Sequence, residues 1–426
     1  MKQYTEMTKT QLSDLLTQLN DQYKAIQAQN LSLDMSRGKP GKEQLDLSED
    51  MLHCIQDSAD CMLDGVDTRN YGIIDGLPSI KKLFADLLEV DPSMVIVGGN
   101  SSLTMMYDSV ARAMTHGVYG SSCPWGKQSG LKFLCPSPGY DRHFAITEFF
   151  GFELITVPMT EDGPDMDVVE ELVAKDDTIK GIWCVPKYSN PDGIVYSAQT
   201  IERLAALKPA AQDFRIFYDN AYVVHHLTDD EVEIPEIFSL ARKYGNEDMI
   251  YEFASTSKIC YPGAGVACMV ASVANVEFIK KQMFFQTIGP DKINELRHMK
   301  YFKDVEGIKA HMRKHAQVLR PRFDVVTNTL ARELNGTGAG SWITPKGGYF
   351  VSFNAMPGCA KRIVSLVKDA GVTMTGAGAT FPYKKDPQDS NIRIAPSFPS
   401  VDDLQKAMDV FCVCAKIAAV EKLLAE

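Results

Sequence analysis

The sequence lacks the features that mark membrane, secreted and nucleic-acid-binding proteins. It has no run of about 18 apolar residues, so no membrane-spanning helix is expected. Its first residues, Met1 to Glu6, contain no apolar signal region. Positive charge is not in excess either: 44 lysines and arginines stand against 55 aspartates and glutamates. The resulting net charge of −11 disfavours nucleic acids and anionic membranes as partners.

Cysteine and histidine show no pattern typical of disulfide frameworks or metal sites. The ten cysteines include no Cys-x-x-Cys pair, and the eight histidines form no tract, so no zinc site is expected. Cys412 and Cys414 are close neighbours only within an apolar, helix-like stretch. Free, mostly buried thiols in a reducing compartment fit this usage. We therefore expect a cytoplasmic protein without a bound metal.

What the sequence does contain is a regular alternation of strand-like and helix-like segments. Of its 426 residues, 45% are hydrophobic, which is ample material for a core. The apolar runs are 94–97, 132–135, 153–157, 181–185, 215–218, 250–253 and 266–271. The helix-length periodic segments between them are 102–115, 140–150, 165–175, 197–207 and 235–244. This alternation predicts an α/β fold with a doubly wound, mostly parallel sheet.

The two ends of the chain have a different character. Helices are predicted near 10–29, 49–64, 79–89, 303–334, 359–370 and 400–423, and strands at 348–353, 373–374 and 392–395. We therefore expect a large domain over residues 51–302. A smaller α+β domain would be built from both chain ends, residues 1–50 and 303–426.

The candidate reactive group is Lys258, in the segment Ser255-Thr256-Ser257-Lys258. Residues 249–254 look like a strand, so this lysine would lie just past a strand end, where a cofactor can bind across the edge of a sheet. A lone Ser-x-x-Lys is common by chance, and a solvated loop lysine is the alternative. The order and spacing of the other motifs favour the reactive role.

Three further segments are candidates for holding a cofactor. Gly98-Gly99-Asn100-Ser101-Ser102 ends a strand and opens a helix, so its free N–H groups and hydroxyls suit a phosphate. An ordinary helix cap is the alternative. Tyr140 follows the next strand and either stacks on a planar ring or packs in the core. Asn190 opens Asn190-Pro191-Asp192-Gly193, which is turn chemistry, but its amide is also suited to a ring oxygen.

Polar residues in or beside apolar strands complete the set. Asp219 ends the apolar strand 215–218, where a buried carboxylate needs a partner such as a protonated ring nitrogen. Tyr222 follows by about one helical turn and would point the same way. Arg393 lies within the apolar segment 391–395, where it would bind a planar carboxylate. The alternatives are a helix cap for Asp219 and an internal salt bridge for Arg393.

Taken in order, these residues resemble the pyridoxal-phosphate (PLP) enzymes of fold type I, the aspartate aminotransferase superfamily. The resemblance runs from about Arg37 to the C-terminus and includes Tyr71. The segments Arg37-Gly38-Lys39-Pro40 and Gln44-Leu45-Asp46-Leu47 resemble a divergent bacterial aspartate aminotransferase subgroup. That subgroup is related to the aminotransferase half of certain transcription regulators. The resemblance implies a homodimeric aminotransferase that uses aspartate and 2-oxoglutarate through a PLP Schiff base.

The resemblance also implies roles at the cofactor ring. Lys258 would form the Schiff base and carry the proton in the reaction. Asp219 would keep the ring nitrogen protonated. Asn190 and Tyr222 would bind the ring oxygen, and Tyr140 would stack on the ring.

Roles at the phosphate and the substrate follow in the same way. The implied phosphate ligands are Asn100, Ser101, Ser102 and Ser255, with Tyr71 contributed by a second subunit. Arg393 would bind the substrate α-carboxylate, and Gly38 and Arg37 would line the substrate entrance. The bonds Ser137-Pro138 and Asn190-Pro191 are candidates for cis peptides.

Two positions depart from the family pattern. An arginine that usually follows the lysine by seven or eight residues and neutralises the phosphate is replaced by Gly265 or Val266. An arginine that binds the distal carboxylate in the better-known branch is replaced by Lys292. Another cation must then serve a dicarboxylic substrate, and we rank Lys127 first, Arg37 second and Lys292 third.

Two other functions remain open from the sequence. One is a different PLP reaction on amino acids, such as β-elimination or broad-range transamination. The other is a non-catalytic, ligand-sensing module of a transcription regulator. The segment before Asp34 is about one helix long and not basic, which favours an enzyme over the regulator.

Overall fold

The computed structural model describes residues 3–36 and 38–426 of the chain. The helices are α1 (Lys9–Gln27), α2 (Lys42–Asp46), α3 (Pro78–Leu88), α4 (Ser102–His116), α5 (Asp141–Phe149), α6 (Met166–Lys175), α7 (Ala198–Ala205), α8 (Ile237–Tyr244), α9 (Val273–Met283), α10 (Lys292–Phe302), α11 (Val305–Leu334), α12 (Ala360–Asp369) and α13 (Val401–Ala425). The strands are β1 (Leu33–Asp34), β2 (Met62–Leu63), β3 (Val66–Asp67), β4 (Val95–Gly98), β5 (Lys132–Ser137), β6 (Glu153–Thr160), β7 (Gly163–Pro164), β8 (Ile179–Cys184), β9 (Arg215–Asp219), β10 (Ile250–Ser255), β11 (Ala267–Val270), β12 (Gly340–Trp342), β13 (Val351–Ala355), β14 (Val372–Thr373) and β15 (Asn391–Ile394).

A mostly parallel sheet forms the centre of the molecule. Its strands lie in the order β4-β11-β10-β9-β8-β5-β6-β7. The neighbours from β10 through β6 pair in parallel, whereas β11 is antiparallel to both β10 and β4. Strand–helix connections of this kind place the carboxyl ends of the parallel strands at one edge. The predicted doubly wound α/β fold is confirmed.

Helices cover both faces of this sheet, and alternate residues of each strand face opposite sides. In β9, Ile216 and Tyr218 pack with α3, α7 and α8, whereas Phe217 packs on the other face with α4, α5 and α9. Asp219 lies one residue beyond Tyr218 and contacts His143 of α5, so its side chain faces the second side. Asp219 and Tyr218 therefore face opposite sides of the large sheet.

The chain ends pack together beside the large sheet. Helices α1 and α11 lie against α13, and α12 also packs on α13. Strands β12, β13 and β15 form a small antiparallel sheet, and β1 pairs in parallel with β14. A separate apolar core joins these elements, from Leu12 and Leu19 near the start to Phe411 near the end. The long helix predicted near 303–334 is confirmed as α11.

The predicted helix near 49–64 is wrong. This stretch forms short 3-10 turns at Glu49–His53 and Ser58–Cys61, followed by the hairpin of β2 and β3. Asp64 and Gly65 connect the two strands, both with positive φ (52° and 75°), which is the conformation of a two-residue hairpin turn. Helices α9 and α10 were not predicted. In the part of the chain that the structure describes, no helix has the length and apolar character needed to cross a membrane.

Candidate active site

The carboxyl edge of the large sheet opens into a cavity of about 700 Å³, called the edge cavity below. Because β5, β8, β9 and β10 all end there, residues that are far apart in sequence meet at this edge. The edge cavity is lined by Ser36, Gly38, Lys39, Tyr140, Asp141, Arg142, Val185, Asn190, Asp219, Ala221, Tyr222, Lys258, Phe350, Thr375 and Arg393. The structure therefore brings together the predicted residues Gly38, Tyr140, Asn190, Asp219, Tyr222, Lys258 and Arg393.

Asp219 is buried and has one carboxylate oxygen engaged. Its Oδ2 lies 2.9 Å from His143 Nε2, and the imidazole stacks on Trp183 with ring centroids 4.5 Å apart. Its Oδ1 is also buried but has no hydrogen-bond partner among the described residues. A buried acceptor without a partner is costly, so this oxygen is suited to a ligand N–H in the edge cavity. A protonated aromatic nitrogen would satisfy it.

Lys258 is half-buried, and its Nζ lies 4.8 Å from the centroid of the Tyr222 ring. Desolvation lowers the pKa of its ammonium group, and nearby Asp219 partly opposes that effect. A lowered pKa increases the fraction of neutral amine, the form that attacks a carbonyl or accepts a proton. Desolvation likewise raises the pKa of Tyr222 well above its usual value, so its hydroxyl stays protonated.

The main chain around Lys258 is anchored by a buried series of polar side chains. The Tyr349 hydroxyl donates to the Lys258 carbonyl oxygen (3.4 Å) and accepts from Gln44 Nε2 (2.8 Å). Gln44 Nε2 also donates to His315 Nδ1 (3.2 Å). The Nε2 atoms of His315 and His311 are 3.1 Å apart. His311 Nε2 also lies 2.9 Å from the carbonyl oxygen of Ile259, the residue after Lys258. Burial lowers the pKa values of His311 and His315 to about 4 and 3, so both are neutral at pH 7.

Arg393 lies in β15 at the far wall of the edge cavity. Its Nη1 donates to Asp141 Oδ1 (2.9 Å) and to Asn190 Oδ1 (3.3 Å). Its Nε is buried and has no hydrogen-bond partner in residues 3–36 and 38–426. The guanidinium carbon lies 4.9 Å from the Phe350 ring centroid. A guanidinium that is held on one side and retains a free N–H on the other is suited to a carboxylate.

Close packing explains why position 38, the predicted entrance residue, is a glycine. A Cβ on Gly38 would lie 2.4 Å from the Phe350 ring, the same ring that supports Arg393. A larger side chain would displace that ring. Tyr140 packs edge-on against His143, with ring centroids 4.9 Å apart, and desolvation raises its pKa to about 12. The cis bonds at Ser137-Pro138 and Asn190-Pro191 are confirmed.

The predicted phosphate segment lies beside the Lys258 loop. Asn100 contributes its carbonyl oxygen to a 2.6 Å hydrogen bond from Ser257 Oγ, and Ser255 Oγ donates to Ser257 Oγ (3.1 Å). Ser101 is the N-cap residue of α4 and Ser102 its first residue, so free N–H groups of this helix start are close by. Ser257 belongs to this group although the sequence analysis singled out only Ser255.

Local packing explains why positions 265 and 266 carry Gly265 and Val266 rather than the family's arginine. A Cβ on Gly265 would lie 3.0 Å from Ser257, so a side chain there would displace the serine. Val266 points into the core and exchanges hydrogen bonds with Thr256: Val266 N donates to Thr256 Oγ1 at 2.8 Å, and Thr256 N donates to Val266 O at 2.9 Å. Neither position has room for an arginine directed at the phosphate segment.

Lys127, ranked first as the distal cation, does not reach the edge cavity. It is exposed in a 3-10 turn before β5, and its neighbour Gln128 donates to Asp213, which precedes β9. This places Lys127 at the amino edge of the sheet, roughly 17–20 Å from the carboxyl edge, the length of a typical strand. The prediction failed because Lys127 precedes a strand whose other end forms the site.

Two more predicted residues, Tyr71 and Lys292, do not line the edge cavity of this chain. Tyr71 is 82% exposed on a surface loop. Lys292 is buried, and its Nζ donates to the Gly72 carbonyl oxygen (2.9 Å), so it fixes the Tyr71 loop. Arg37 lies outside the described residues.

The sequence analysis missed several residues that the edge cavity contains. His143 lies three residues after Tyr140 on α5, one helical turn, and this spacing was the available signal. Lys39 and Arg142 are exposed cations that line the cavity, and Lys39 Nζ lies 3.8 Å from the Phe398 ring centroid. Asp141, which binds Arg393, also gave no signal of its own in the sequence.

Comparisons with known proteins agree with this geometry. A family model described as aspartate amino-transferase matches residues 7–426. A putative aminotransferase of Mycolicibacterium smegmatis is 50% identical over 97% of this chain and 98% of its own. An aspartate aminotransferase of Corynebacterium glutamicum is 43% identical over 99% of both chains. The crystal structure of an aspartate transaminase from Corynebacterium glutamicum superposes with a TM-score of 0.97 and 42% identity, over 99% of both chains.

The fold, the residues that meet at the edge cavity and these full-length similarities lead to one conclusion. The chain is an aminotransferase and belongs to the aspartate aminotransferase family.

Proposed function

We propose that this aminotransferase transfers the amino group of aspartate to 2-oxoglutarate, with PLP bound in the edge cavity. The observation that carries the proposal is the meeting of three groups in one cavity: the amine of Lys258, the unpartnered Oδ1 of Asp219 and the unpartnered Nε of Arg393. A nucleophile, an anion for a ring nitrogen and a carboxylate-binding cation are the minimum set for transamination. The full-length similarity to a protein named aspartate aminotransferase supports the choice of substrate.

The residues present fit PLP. Asp219 Oδ1 suits the pyridinium N–H, and Asn190 lines the cavity with its Oδ1 held by Arg393, which leaves its amide nitrogen to donate to the ring oxygen. Tyr222 would donate to the same oxygen, and Tyr140 would lie against the ring. The phosphate would be held by Asn100, Ser101, Ser102, Ser255 and Ser257. When bound, PLP supplies an electron sink for the negative charge that develops at the amino-acid Cα.

The remaining chemistry belongs to the chain. With PLP bound, the neutral amine of Lys258 would hold the cofactor through its carbonyl carbon, and once the substrate amine has taken that place the freed Nζ would accept the Cα proton and later donate it back. Asp219 would face the ring nitrogen, and His143, which stacks on Trp183, holds its carboxylate in place. The buried Gln44–Tyr349 pair fixes the main chain of Lys258, which limits the positions that Nζ can reach.

The α-carboxylate of the substrate would bind Arg393. The Phe350 ring and Asp141 hold the guanidinium in place. Its Nε, which has no partner among the described residues, is available to the carboxylate. A dicarboxylic substrate brings a second carboxylate, and Lys39 and Arg142 are the described cations besides Arg393 and Lys258 that line the cavity. We propose Lys39 and Arg142 as the distal-carboxylate ligands within this chain; Arg37, two residues before Lys39 in the sequence, remains a proposed entrance residue.

Substrate preference tests this assignment. Purified wild-type protein loaded with PLP is expected to use aspartate better than alanine. Lys39→Gln and Arg142→Gln should each raise the KM for aspartate, because a charge-assisted hydrogen bond contributes about 1.5–3 kcal/mol, or roughly 10- to 100-fold. The KM for alanine should change little. Steady-state assays with both donors provide the measurement.

Lys127→Gln is the matched control, since Lys127 is also an exposed lysine but lies at the opposite edge of the sheet. It should leave both KM values unchanged. Equal use of aspartate and alanine by the wild type would refute aspartate as the substrate. A wild-type preference that survives both cavity substitutions would refute Lys39 and Arg142.

We also propose a homodimer in which Tyr71 of one subunit reaches the phosphate of the other. Tyr71 is exposed and held in place through Lys292 and Gly72, so it is presented outward rather than toward its own cavity. Exposed Phe284, Phe285 and Ile288 give the chain an apolar surface that a partner would cover. We also propose that each subunit has two domains. The large domain spans residues 51–302, and the small domain is formed by residues 1–50 together with residues 303–426.

Mixed dimers test the origin of Tyr71. Chains with Tyr71→Ala and chains with Lys258→Ala are each expected to have low activity alone. A mixed dimer has one site with both residues intact, because the Lys258→Ala chain supplies Tyr71 to the site of its partner. Activity should therefore recover when the two variants are refolded together, and sedimentation should show dimers. No recovery, or a fully active monomer, would show that Tyr71 does not act across an interface.

We place the reaction in the cytoplasm. All ten cysteines are free, and most are buried, which is the pattern of proteins kept in reducing compartments.

A further inference from the structure

A second cavity lies on the other face of the large sheet, behind Asp219. It measures about 130 Å³ and is called the rear cavity below. Its buried lining includes Tyr218, Asn220 and Glu252, which are 1%, 6% and 4% exposed, respectively. Tyr218 and Glu252 are paired across β9 and β10, so their side chains leave the same face of the sheet. Neither the proposed cofactor nor the substrate uses these residues.

The polar atoms of this lining are incompletely satisfied. Glu252 Oε1 accepts a 2.9 Å hydrogen bond from Asn220 Nδ2. Asn220 Oδ1 and the Tyr218 hydroxyl are buried, and neither has a hydrogen-bond partner in the part of the chain that the structure describes. Buried polar atoms in native proteins are nearly all paired, so these two indicate a ligand in the cavity that they line.

The charge around the rear cavity is negative. Five glutamates line it, namely Glu89, Glu231, Glu233, Glu236 and Glu252, against the two lysines Lys187 and Lys309. Lys309 is paired with Glu231 at 3.5 Å, and Lys187 Nζ donates to the Val223 carbonyl oxygen at 2.8 Å. Neither lysine therefore neutralises Glu252, and a cationic ligand is favoured.

The donor set distinguishes between kinds of cation. Among the described residues, no group of three or more His, Cys, Asp or Glu side chains is arranged to hold a metal ion. The carboxylate, the amide oxygen and the phenol oxygen instead match the three N–H groups of a primary ammonium. Leucine, valine and isoleucine side chains line the rest of the cavity and suit a short alkyl chain: Leu87, Leu88, Val223, Val224, Val232, Ile234 and Ile237.

We propose that the rear cavity binds a small aliphatic primary ammonium ion. Its N–H groups donate to the Glu252 carboxylate, Asn220 Oδ1 and the Tyr218 hydroxyl, and its alkyl chain lies along the apolar wall. Asp219 lies between Tyr218 and Asn220 in the chain, so the ligand would also fix the segment that carries the ring-nitrogen partner.

Proton exchange gives this binding a recognisable signature. Desolvation raises the pKa of Glu252 to about 8, so its carboxyl is mostly protonated at pH 7 without a ligand. The other ionisable groups that face it or line the same cavity are Tyr218, Glu236, Cys268, His226, Lys187, Lys309, Glu89, Glu231 and Glu233. A bound ammonium favours the ionised carboxylate. Binding should therefore release close to one proton at pH 7 and tighten as pH rises through about 8.

Calorimetric titration of the PLP-loaded protein with n-butylammonium chloride tests the proposal. Apart from the reaction of the amine with PLP in the edge cavity, we expect one saturable site per chain, with 1-butanol and tetramethylammonium binding at least tenfold more weakly because they lack the charge or the N–H groups. Repeating the titration in two buffers of different ionisation enthalpy should show the released proton. Absence of a saturable site, or of proton release at pH 7, would overturn the proposal.

Variants separate this cavity from the edge cavity, where amines can also react with PLP. Glu252→Gln keeps the shape of the side chain but cannot ionise, and should weaken butylammonium binding at least tenfold. Tyr218→Phe removes one acceptor and should weaken it roughly 2- to 10-fold. Glu161→Gln, at an exposed turn, is the control and should bind as wild type does. A site of unchanged affinity in both Glu252→Gln and Tyr218→Phe would place the binding elsewhere and overturn the proposal.

Discussion

Replacing Lys258 with alanine is expected to lower kcat for aspartate and 2-oxoglutarate by roughly 10⁴-fold or more. The substitution removes both the amine that binds the cofactor and the base that moves the Cα proton, and proton transfer by a positioned side chain alone contributes about 10²–10⁴-fold. Because Lys258 is half-buried in a site held by other contacts, the fold should persist. Steady-state turnover and circular dichroism of the purified variant check both expectations.

Lys127→Ala is the control for this prediction, since it removes an exposed lysine at the opposite edge of the sheet. Its turnover should match that of the wild type. If Lys258→Ala retains turnover within threefold of wild type while remaining folded, another group performs the proton transfer and the proposed role of Lys258 is wrong.

Asp219→Ala has the second largest expected effect, a loss of roughly 10²–10⁴-fold in kcat. The carboxylate is buried, with one oxygen on His143 and the other free to face the ring nitrogen. Without this anion the ring nitrogen loses its proton more easily, and the negative charge at Cα is less stabilised. Steady-state kcat measures the loss.

A double-mutant cycle with His143→Gln shows whether His143 acts through Asp219. His143 touches Asp219 rather than the proposed ring position, so it is a positioning residue. His143→Gln should therefore lower kcat in the wild-type background and have little further effect in Asp219→Ala. Activity of Asp219→Ala within threefold of wild type would show that a different acid serves the ring nitrogen.

Local sequence chemistry was sufficient to find the parts of the site that follow strands. Asn190, Asp219 and Lys258 each lie just beyond an apolar run, and parallel strands bring such positions to one edge. The order of these residues along the chain, more than any one of them, carried the family resemblance. The doubly wound sheet followed from the same alternation of strands and helices.

Contacts between distant residues were not accessible from the sequence. His143 and Asp219 are 76 residues apart, and Arg393 and Asp141 are 252 apart. No local pattern predicts such pairs, because they depend on how helices pack over the sheet. Lys127 was instead proposed for a site that it does not line. Its nearness in sequence to β5 suggested a role as the distal cation, but it precedes the strand and lies at the edge away from the site.

The helix predicted near 49–64 failed for a more local reason. Asp64-Gly65 is a two-residue turn that favours a hairpin, and this signal was outweighed by the helix-like spacing of apolar residues before it. Where a turn dipeptide and a helical period compete in a short stretch, the positive φ values required by the turn decide the structure.

The placement of the reactive group is tested most directly by reducing the PLP-loaded protein with borohydride, digesting it and mapping the modified peptide by mass spectrometry. Reduction makes the bond between an amine and the cofactor permanent, so the modified residue reports which lysine binds it. One phosphopyridoxyl group per chain is predicted, on the peptide that contains Ser255-Thr256-Ser257-Lys258 and on Nζ of Lys258. Modification of a different lysine, or no modification of the loaded protein, would contradict the placement of the active site in the edge cavity.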